Sequence, residues 1–462
     1  MRRRSFLKLM TVAPASGLVH IPLELSAGGF LHQRGAVAQA ELFKPSEAAN
    51  SPIGEGIGIH PGRVVWIRDG KAASWDGATG HWWDDAFTDQ TAVDRMISRV
   101  LRDLTGRRND RQAWDALFRN FNETHRSGNF GYRRGEKIAI KINSNQDRSA
   151  EWGSTFPGAG RAGPAGSPPR PPQNGMPSPH AIVSLARQLI EVAGVPGEDI
   201  TIYDAARNVG QPIYSRIKAS PDRRFQAIRF VVANDYGLGG RITATPDKAN
   251  PIRFSKAEVP VAYLPEQVTE AKYMINVALL RPHTLAGVTL IGKNHFGSVY
   301  FPNDGGWSPR ALHSYVMRTL PMGSYNCLVD LMGHRHLGGK TMLYMLDALY
   351  SAVHNEGNVY RFASLGDAWT ASILVSQDPV ALDSVGLDIL RGEPRATELR
   401  GNADNYLHEA AQAGKPPSGI LYDPVASGTP LASLGVHEHW NDARKYSRNL
   451  GLKRGIELVA LL

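Results

Sequence analysis

The pattern of apolar and polar residues predicts an alternation of strands and helices along most of the chain. Between Asp89 and Gly106, apolar residues recur at three- and four-residue steps, which is typical of an amphipathic helix. Residues 137–142 and 200–203 are apolar and β-branched runs typical of buried strands, and the helix between them is predicted to begin at Ser178-Pro179. This order predicts parallel strands joined by a right-handed crossover.

Further elements follow from the same reasoning. Strands are predicted at residues 225–232, 260–264, 273–277, 327–331 and 372–376, and helices at 308–319, 341–352, 379–390 and 405–413. Together they predict an α/β fold, with a largely parallel or mixed sheet flanked by helices and with N- and C-terminal embellishments. We divide the chain into a leader at 1–40, an N-terminal helical embellishment at 41–130, a main α/β domain at 131–394 and a C-terminal appendage at 395–462.

A long segment dense in glycine and proline, residues 146–177, lies between the first of these strands and its helix. Loops of this length in a compact domain are typically functional lids or disordered insertions. Because the loop follows the carboxyl end of a parallel strand, where open α/β sheets bind ligands, we expect a mobile lid over a ligand site.

The first forty residues predict export. Arg3-Arg4 followed by Phe6-Leu7-Lys8 resembles a twin-arginine signal, a weakly apolar stretch comes next, and Ala38-Gln39-Ala40 is an A-x-A cleavage pattern. The stretch is too polar and too often interrupted for a transmembrane helix, which needs ~20 mostly apolar residues. We therefore expect the twin-arginine export machinery as a partner, a periplasmic or other extracytoplasmic location and no stable membrane anchor. A basic, irregular N-terminus is the alternative.

Composition excludes several function classes. The net charge of +9 comes without runs of like charge or basic stretches interleaved with aromatic residues, so nucleic acid is not expected as a partner. The single cysteine, Cys327, excludes an intramolecular disulfide and a cysteine-ligated iron–sulfur cluster within the chain. An inert core thiol is the favoured interpretation of Cys327, and a nucleophile is the alternative.

The densest group of chemically useful side chains lies in residues 281–297, after the predicted strand at 273–277. Lysine, asparagine and histidine in one loop suit an anionic or carbonyl-bearing ligand, or a metal bound through the histidines. An ordinary hydrogen-bonded loop is the alternative. The polar residues are Arg281, His283, Thr284, Thr289, Lys293, Asn294 and His295.

Three motifs resemble the domain-of-unknown-function 362 family. The first motif is Lys141-Ile142-Asn143, followed later by a strand that ends at Asp204. The second is the segment 281–297. The third is the Asp-Pro-Val-Ala-x-Asp pattern from Asp378 to Asp383. The resemblance covers roughly 137–415 and implies an α/β domain with a site built from these motifs, but no established activity. The chain departs from the family pattern at Ile142 and at Arg281-Pro282, and it lacks the ferredoxin-like cysteine module of some members.

These motifs provide the candidate site. Lys141, His283, Lys293 and Asp383 are the candidate catalytic residues. The candidate ligand-binding residues are Asn143, Asp204, Arg281, Thr284, Asn294 and Asp378. A role as a helix N-cap is the alternative explanation of Asp378. Asp383 is expected to be buried, and a buried carboxylate needs a partner, for which Lys293, Lys141 or a metal are candidates. We expect Lys293 and Asp383 to form an ion pair.

A divalent metal is an open possibility, although the cofactor cannot be named from the sequence. Asp330, His334 and His336, with His295, offer suitable ligand types. A structural loop that caps the next helix is the alternative, and the same segment lacks the first glycine of a P-loop. The segment His437-Glu438-His439 is expected at the surface.

The function hypothesis is therefore an exported protein with a polar cleft for a small anionic or carbonyl ligand, with metal-assisted chemistry left open. The alternative is a non-catalytic periplasmic ligand- or metal-binding protein, and a protein-interaction scaffold is a third class.

Export by the twin-arginine route is directly testable. Changing Arg3 and Arg4 together to lysine should retain the uncleaved precursor in the cytoplasm, because that route recognises the arginine pair. Cell fractionation with N-terminal sequencing measures this, and wild-type protein should begin at Glu41. Normal export of the double variant would contradict the prediction.

Overall fold

The strands of the described chain run from Ile53 to Leu461. The computed structural model describes residues 47–144, 146–147, 174–234, 239–354 and 359–462. The leader at 1–40 and most of the expected lid lie outside these ranges. The strands are β1 (Ile53–Gly54), β2 (Arg63–Arg68), β3 (Ile138–Ile142), β4 (Gln146–Asp147), β5 (Asn174–Gly175), β6 (Ile200–Asp204), β7 (Arg229–Val232), β8 (Ile242–Thr243), β9 (Pro246–Ile252), β10 (Ala262–Pro265), β11 (Tyr273–Leu279), β12 (Arg281–His283), β13 (Gly287–Thr289), β14 (Thr341–Ala348), β15 (Ser372–Ser376), β16 (Val436–His437) and β17 (Glu457–Leu461).

Nine of these strands form one mixed sheet in the order β17-β2-β15-β14-β11-β3-β6-β7-β8. Only β15 is antiparallel to its neighbours, β14 and β2. The other neighbouring pairs are parallel. The α/β prediction with a largely parallel or mixed sheet is confirmed. The carboxyl ends of β3, β6 and β11 therefore lie at one edge of the sheet, which is where the site residues are found.

Helices cover both faces of the sheet. Helices α1 to α4 pack on one face with the core that includes Val93, Leu117 and Leu185, while α7 to α10 pack on the other with the core that includes Leu290, Leu331 and Leu407. The α-helices are α1 (Gln90–Thr105), α2 (Asp110–Thr124), α3 (Pro179–Arg187), α4 (Gln211–Lys218), α5 (Arg223–Gln226), α6 (Glu266–Thr269), α7 (Ile291–Asn294), α8 (Cys327–Gly333), α9 (Pro379–Arg391) and α10 (Asn405–Ala411). None of the helices in the described ranges combines the length and apolar composition needed to cross a bilayer.

Two predicted elements are wrong in type. The helix predicted at 341–352 is the central strand β14, in which every residue after Thr341 is buried. The strand predicted at 327–331 is helix α8, whose first turn is capped by Asn326 accepting a hydrogen bond from Leu328 N at 3.1 Å. Both are short, mostly apolar runs with one aspartate each, Asp347 and Asp330, and such a run is equally compatible with a strand or a helix that is buried on all sides.

The two ends of the described chain join the main sheet. Strand β2 lies next to β15, and β17 forms the sheet edge beside β2. The loop expected as a lid leaves β3 and returns before α3, and its described ends pair as the short antiparallel ladder of β4 and β5.

Asp378 holds the terminal segments against α9. Its carboxylate caps α9 by accepting from Ala381 N at 2.8 Å, and it also accepts from Ile57 N at 3.1 Å and Val436 N at 3.2 Å. The side chain is fully buried, and burial raises the pKa of Asp378 to about 7. Its role in the structure is thus to join three chain segments.

Removing this carboxylate should cost far more stability than removing an ordinary cap. Asp378→Ala leaves the two buried N–H groups of Ala381 and Val436 and the part-buried N–H of Ile57 without their acceptor, so we expect a loss of roughly 3 kcal/mol in the free energy of unfolding. The matched control Asp89→Ala, at the solvent-facing cap of α1, should cost about 1 kcal/mol. Urea unfolding of both variants measures the difference, and equal losses would contradict this role of Asp378.

Candidate functional site

The three sequence motifs meet at the four-residue helix α7. Its N-terminus is held by Asp383 of α9, whose carboxylate accepts from Ile291 N at 2.8 Å and Gly292 N at 2.9 Å. Its last residue, Asn294, accepts from Lys141 Nζ of β3 at 3.1 Å. Segments far apart in sequence are therefore brought to one edge of the sheet, as the topology of parallel strands requires.

The predicted ion pair between Lys293 and Asp383 is wrong. Besides the two N–H groups of α7, Asp383 accepts from the Tyr406 hydroxyl at 2.9 Å, so its oxygens are satisfied by neutral donors. Burial raises the pKa of Asp383 to about 7. The hydrogen bonds from Gly292, Ile291 and Tyr406 oppose this shift but do not cancel it, so the carboxyl group is held by hydrogen bonds rather than by a cation.

Lys141 has the full set of partners that a buried ammonium requires. Its Nζ atom lies 2.5 Å from the carbonyl of Ile142 and 3.4 Å from Asp204 Oδ2, in addition to Asn294. Burial lowers the pKa of Lys141, and Asp204 opposes that shift. The pair is packed so tightly that a Cβ atom at Gly297 would collide with Lys141 Nζ and Asp204 Oδ1. This geometry indicates a structural ion pair.

The amide of Asn294 extends this network into β11. Its Nδ2 atom donates to Asn276 Oδ1 at 2.7 Å and to the Val277 carbonyl at 3.0 Å. Asn276 in turn lies 3.2 Å from His295 Nε2. These bonds fix the C-terminal half of α7, and therefore the direction in which Lys293 leaves it.

Lys293 differs from Lys141 in having no anionic partner. Among the described residues, no hydrogen bond or ion pair reaches its Nζ atom, which lies 3.7 Å from the centre of the Phe296 ring. The side chain is only 6 % exposed. Burial, and to a smaller extent the charge of Arg207, lowers the pKa of Lys293 to about 7. Burial therefore favours the neutral amine here far more than water does.

Two histidines and an arginine surround this amine. His283 Nδ1 accepts from Leu285 N at 3.1 Å and Ala286 N at 3.2 Å, so in the neutral ring the proton is on Nε2. Burial and the charge of Lys293 lower the pKa of His283 well below its usual value and that of His313 to about 4. The two imidazole rings stack with centroids 6.1 Å apart. We call Lys293, Arg207, His283, His313 and Phe296 the Lys293 cluster.

The other predicted ligand-binding residues are dispersed. Arg281 is buried in the β12–β13 ladder opposite Thr289, and Thr284 is exposed, with its carbonyl accepting from Arg318 Nε at 2.9 Å. Asn143 is buried at the end of β3, next to the Ser144 N–H that donates to Asp204. Asp378 lies among the terminal segments, away from α7.

The predicted metal ligands also occupy separate positions. Asp330 accepts hydroxyl hydrogen bonds from Ser255 and Tyr325, both at 2.5 Å. His334 Nδ1 accepts from His336 N at 3.2 Å, and the His336 ring lies against Asn250. His295 is fully buried in the Asn276 network. Over the ranges that the structure describes, the side chains grouped closely enough to bind a metal are instead Asp404, His437 and His439, and Glu47, Asp404 and His408.

Residues 170–388 match the family model described as domain of unknown function (DUF362). The match is narrower than the stretch 137–415 in which the resemblance was noted. It contains the Lys293 cluster and Asp383 but not Lys141, and it ends before Asp404. No curated protein matches the chain.

Arg207 and His313 are residues of the cluster that the sequence interpretation missed. Arg207 follows three residues after Asp204, the last residue of β6, so its position beyond a parallel strand was a usable signal. His313 lies in the segment predicted as a regular helix, of which the structure has only a 3₁₀ turn at Arg310–Tyr315. No sequence signal places it beside Lys293.

Because no residue in the described ranges pairs with the Lys293 amine, we expect that replacing it with methionine stabilises the protein. The pKa of Lys293 is about 7 in the folded state and near 10.4 in the unfolded chain, so the unfolded state binds more protons between these values. Wild-type stability should therefore rise with pH across that window. Lys293→Met should be more stable than wild type by up to roughly 4 kcal/mol at pH 7, with the difference vanishing above about pH 10.5.

Chemical unfolding at several pH values measures this difference. The control Lys137→Met, at a surface lysine paired with Glu270, should change stability little at any pH. A Lys293→Met variant that is less stable than wild type at pH 7 would contradict the inference that the buried Lys293 amine lacks a stabilising partner.

Proposed function

We propose that the Lys293 cluster is the binding site for a small anionic or carbonyl-bearing ligand. The single observation that supports this most strongly is a buried lysine amine to which no described residue brings a carboxylate. The neighbouring Arg207 is half-buried, and one of its nitrogens is bound to the Ala206 carbonyl at 2.6 Å. A cationic guanidinium beside a titrating amine favours an anion or a polarised carbonyl.

Stability does not account for this lysine. An amine with a pKa of about 7 costs roughly 4 kcal/mol at neutral pH relative to its value in water, and an apolar residue of similar length would avoid that cost. Lys141 shows what the same fold does with a lysine that serves the structure, because that residue has a carboxylate, an amide and a carbonyl around it. Groups with strongly shifted pKa values and no structural partner are typical of functional sites.

The geometry suits two steps of carbonyl chemistry. The lone pair of neutral Lys293 Nζ can form a C–N bond as the carbonyl π bond breaks; the nitrogen then loses its two protons as the C=N bond forms, and the oxygen, having gained two protons in exchange, leaves as water. His283 is neutral with its proton on Nε2, so it can donate a hydrogen bond to the developing oxygen. Arg207 would hold a carboxylate or phosphate of the same ligand.

A binding protein without catalysis is the second candidate, supported by the positive charge that Arg207 adds to the cluster. In that case an anion would bind the protonated form of Lys293 and raise its pKa. The variant Lys293→Ala distinguishes the enzyme from the binding protein. An enzyme should lose turnover and keep the ligand, whereas a binding protein should lose the ligand itself.

We also propose that the protein reaches the periplasm or another extracytoplasmic space by the twin-arginine route. The support is the Arg3-Arg4 motif and the Ala38-Gln39-Ala40 pattern. Because this route exports folded proteins, the site would be assembled before the protein leaves the cytoplasm.

Reductive trapping tests the site. Incubation of the whole protein with pyruvate and cyanoborohydride should place a stable adduct on Lys293, because a neutral amine forms an imine at neutral pH. Lys340 is the internal control, since burial likewise lowers its pKa to about 7, but its Nζ atom donates to the carbonyls of Val268 and Ala271. Peptide mapping by mass spectrometry measures both lysines.

Arg207→Gln should raise the pyruvate concentration that gives half-maximal trapping by about tenfold, because it removes one charge-assisted contact to the carboxylate of pyruvate. Inorganic phosphate should compete if an anion subsite exists. Adducts on Lys340 and surface lysines at the same rate as on Lys293, with no effect of phosphate, would contradict the proposal.

A further inference from the structure

The segment His437-Glu438-His439, expected at the surface, is buried. His437 is 1 % exposed and His439 is 3 % exposed. His437 is the last residue of β16, which pairs with β1 so that His437 lies opposite Ile53. Helix α10 packs beside this ladder and carries His408, and Asp404 precedes that helix by one residue. Glu47 comes from the beginning of the described chain.

The side chains of these residues converge. The ligand atoms of Asp404, His437 and His439 all lie within 4.8 Å of one another, and so do those of Glu47, Asp404 and His408. Asp404 belongs to both groups. His408 Nε2 is 3.2 Å from one oxygen of Glu47, and His439 Nε2 is 3.5 Å from Asp404 Oδ2. The ring of His437 lies 4.8 Å from the rings of both other histidines.

Within the described residues, three ring nitrogens of this group, the Nε2 atoms of His408, His437 and His439, have no hydrogen-bond partner. Those of His408 and His439 face carboxylates at 3.2 and 3.5 Å, whereas His437 Nε2 is completely buried with neither a hydrogen bond nor an ion pair to a described residue. A buried polar nitrogen without a partner costs about 1–3 kcal/mol, so its position among two carboxylates and two further imidazoles calls for a ligand that accepts its lone pair. A metal cation is such a ligand.

The outward-facing nitrogens of two rings are fixed from one helix. His437 Nδ1 lies 2.7 Å from Ser384 Oγ, and His439 Nδ1 lies 2.8 Å from Asp388 Oδ1. Ser384 and Asp388 are one turn apart on α9. Asp388 is itself held by the Trp440 N–H and the Tyr446 hydroxyl, each at 3.0 Å. Histidines that bind metals typically have the other ring nitrogen fixed in this way by a carboxylate or a hydroxyl.

We propose that Glu47, Asp404, His408, His437 and His439 form a binding site for one divalent first-row transition-metal ion. Three imidazoles with carboxylate oxygens are the donor set that suits Zn²⁺, Fe²⁺ or Mn²⁺. The five side chains come from the start of the described chain, α10 and the β16 region, so the ion joins segments that are distant in sequence. With four or five donors from the protein, a four-coordinate ion such as Zn²⁺ keeps no open position, which is typical of a structural site. It is separate from the Lys293 cluster.

The competing account is a cluster of ion pairs without a metal. Arg391 lies 3.3 Å from Asp404 Oδ2 and compensates part of the negative charge. Although burial lowers it, the pKa of His439 is raised by the nearby carboxylates of Asp388, Asp404 and Glu47, so a proton on His439 would compensate the rest. This account predicts a protein that needs no metal.

Metal analysis of the full-length protein, purified without a chelator or an affinity metal, distinguishes the two accounts. We expect about one ion per chain, and a thermal midpoint that falls on treatment with EDTA and recovers on addition of Zn²⁺ or Mn²⁺ alone. His437→Gln should bind less than about a tenth as much metal and should lose the response to EDTA. Asp388→Asn, which keeps the inner side chains, should weaken metal affinity by roughly 10–100-fold.

The matched control is His334→Gln, at a histidine that is equally buried and whose Nε2 atom also has no partner. It should keep its metal. If His437→Gln fails to fold, X-ray absorption of the metal in wild-type protein decides, because three imidazoles give a distinct scattering pattern. Two results would overturn the proposal. One is wild-type protein that contains no metal and whose thermal midpoint does not respond to EDTA or to added ions. The other is metal that is lost in His334→Gln and kept in His437→Gln.

Discussion

The carboxylate of Asp383 is the contact on which the candidate site depends. Helix α7 has four residues, which is too short to be stable alone, because forming the first turn costs more free energy than its few hydrogen bonds return. Asp383 reaches from α9 and accepts two N–H groups of α7, and Tyr406 holds the same carboxylate from α10. Three helices are thereby fixed to one another beneath the carboxyl ends of β3 and β11.

Two neighbouring residues of α7 then have opposite surroundings. Asn294 faces the sheet and joins the buried pair of Lys141 and Asp204, whereas Lys293 faces Phe296 and the two histidines. The carboxylate that Lys293 was expected to use is already satisfied by backbone donors. The same contact that builds α7 therefore leaves the amine without a partner among the residues that the structure describes, which explains how a well-packed protein retains a lysine with a pKa near neutrality.

The sequence was sufficient for the outline of the fold and for the meeting of three motifs around α7. Helix α1 begins and ends at the expected cap residues, Asp89 and Gly106, because capping is local chemistry. The convergence of three motifs at one sheet edge follows from strand direction. The predictions that were wrong concern features that depend on tertiary contacts. The apolar run of β14 does not show whether its neighbours are strands, and His437 gives no sign of the partners that bury it.

The pKa of Lys293 tests the central claim most directly. Competitive labelling of the whole protein with trace acetic anhydride, followed by mass spectrometry at pH values from about 5 to 11, gives the fraction of neutral amine at each lysine. The account predicts half-maximal reactivity of Lys293 near pH 7. A midpoint near the ordinary lysine value of about 10.4, or no reaction at any pH, would contradict it.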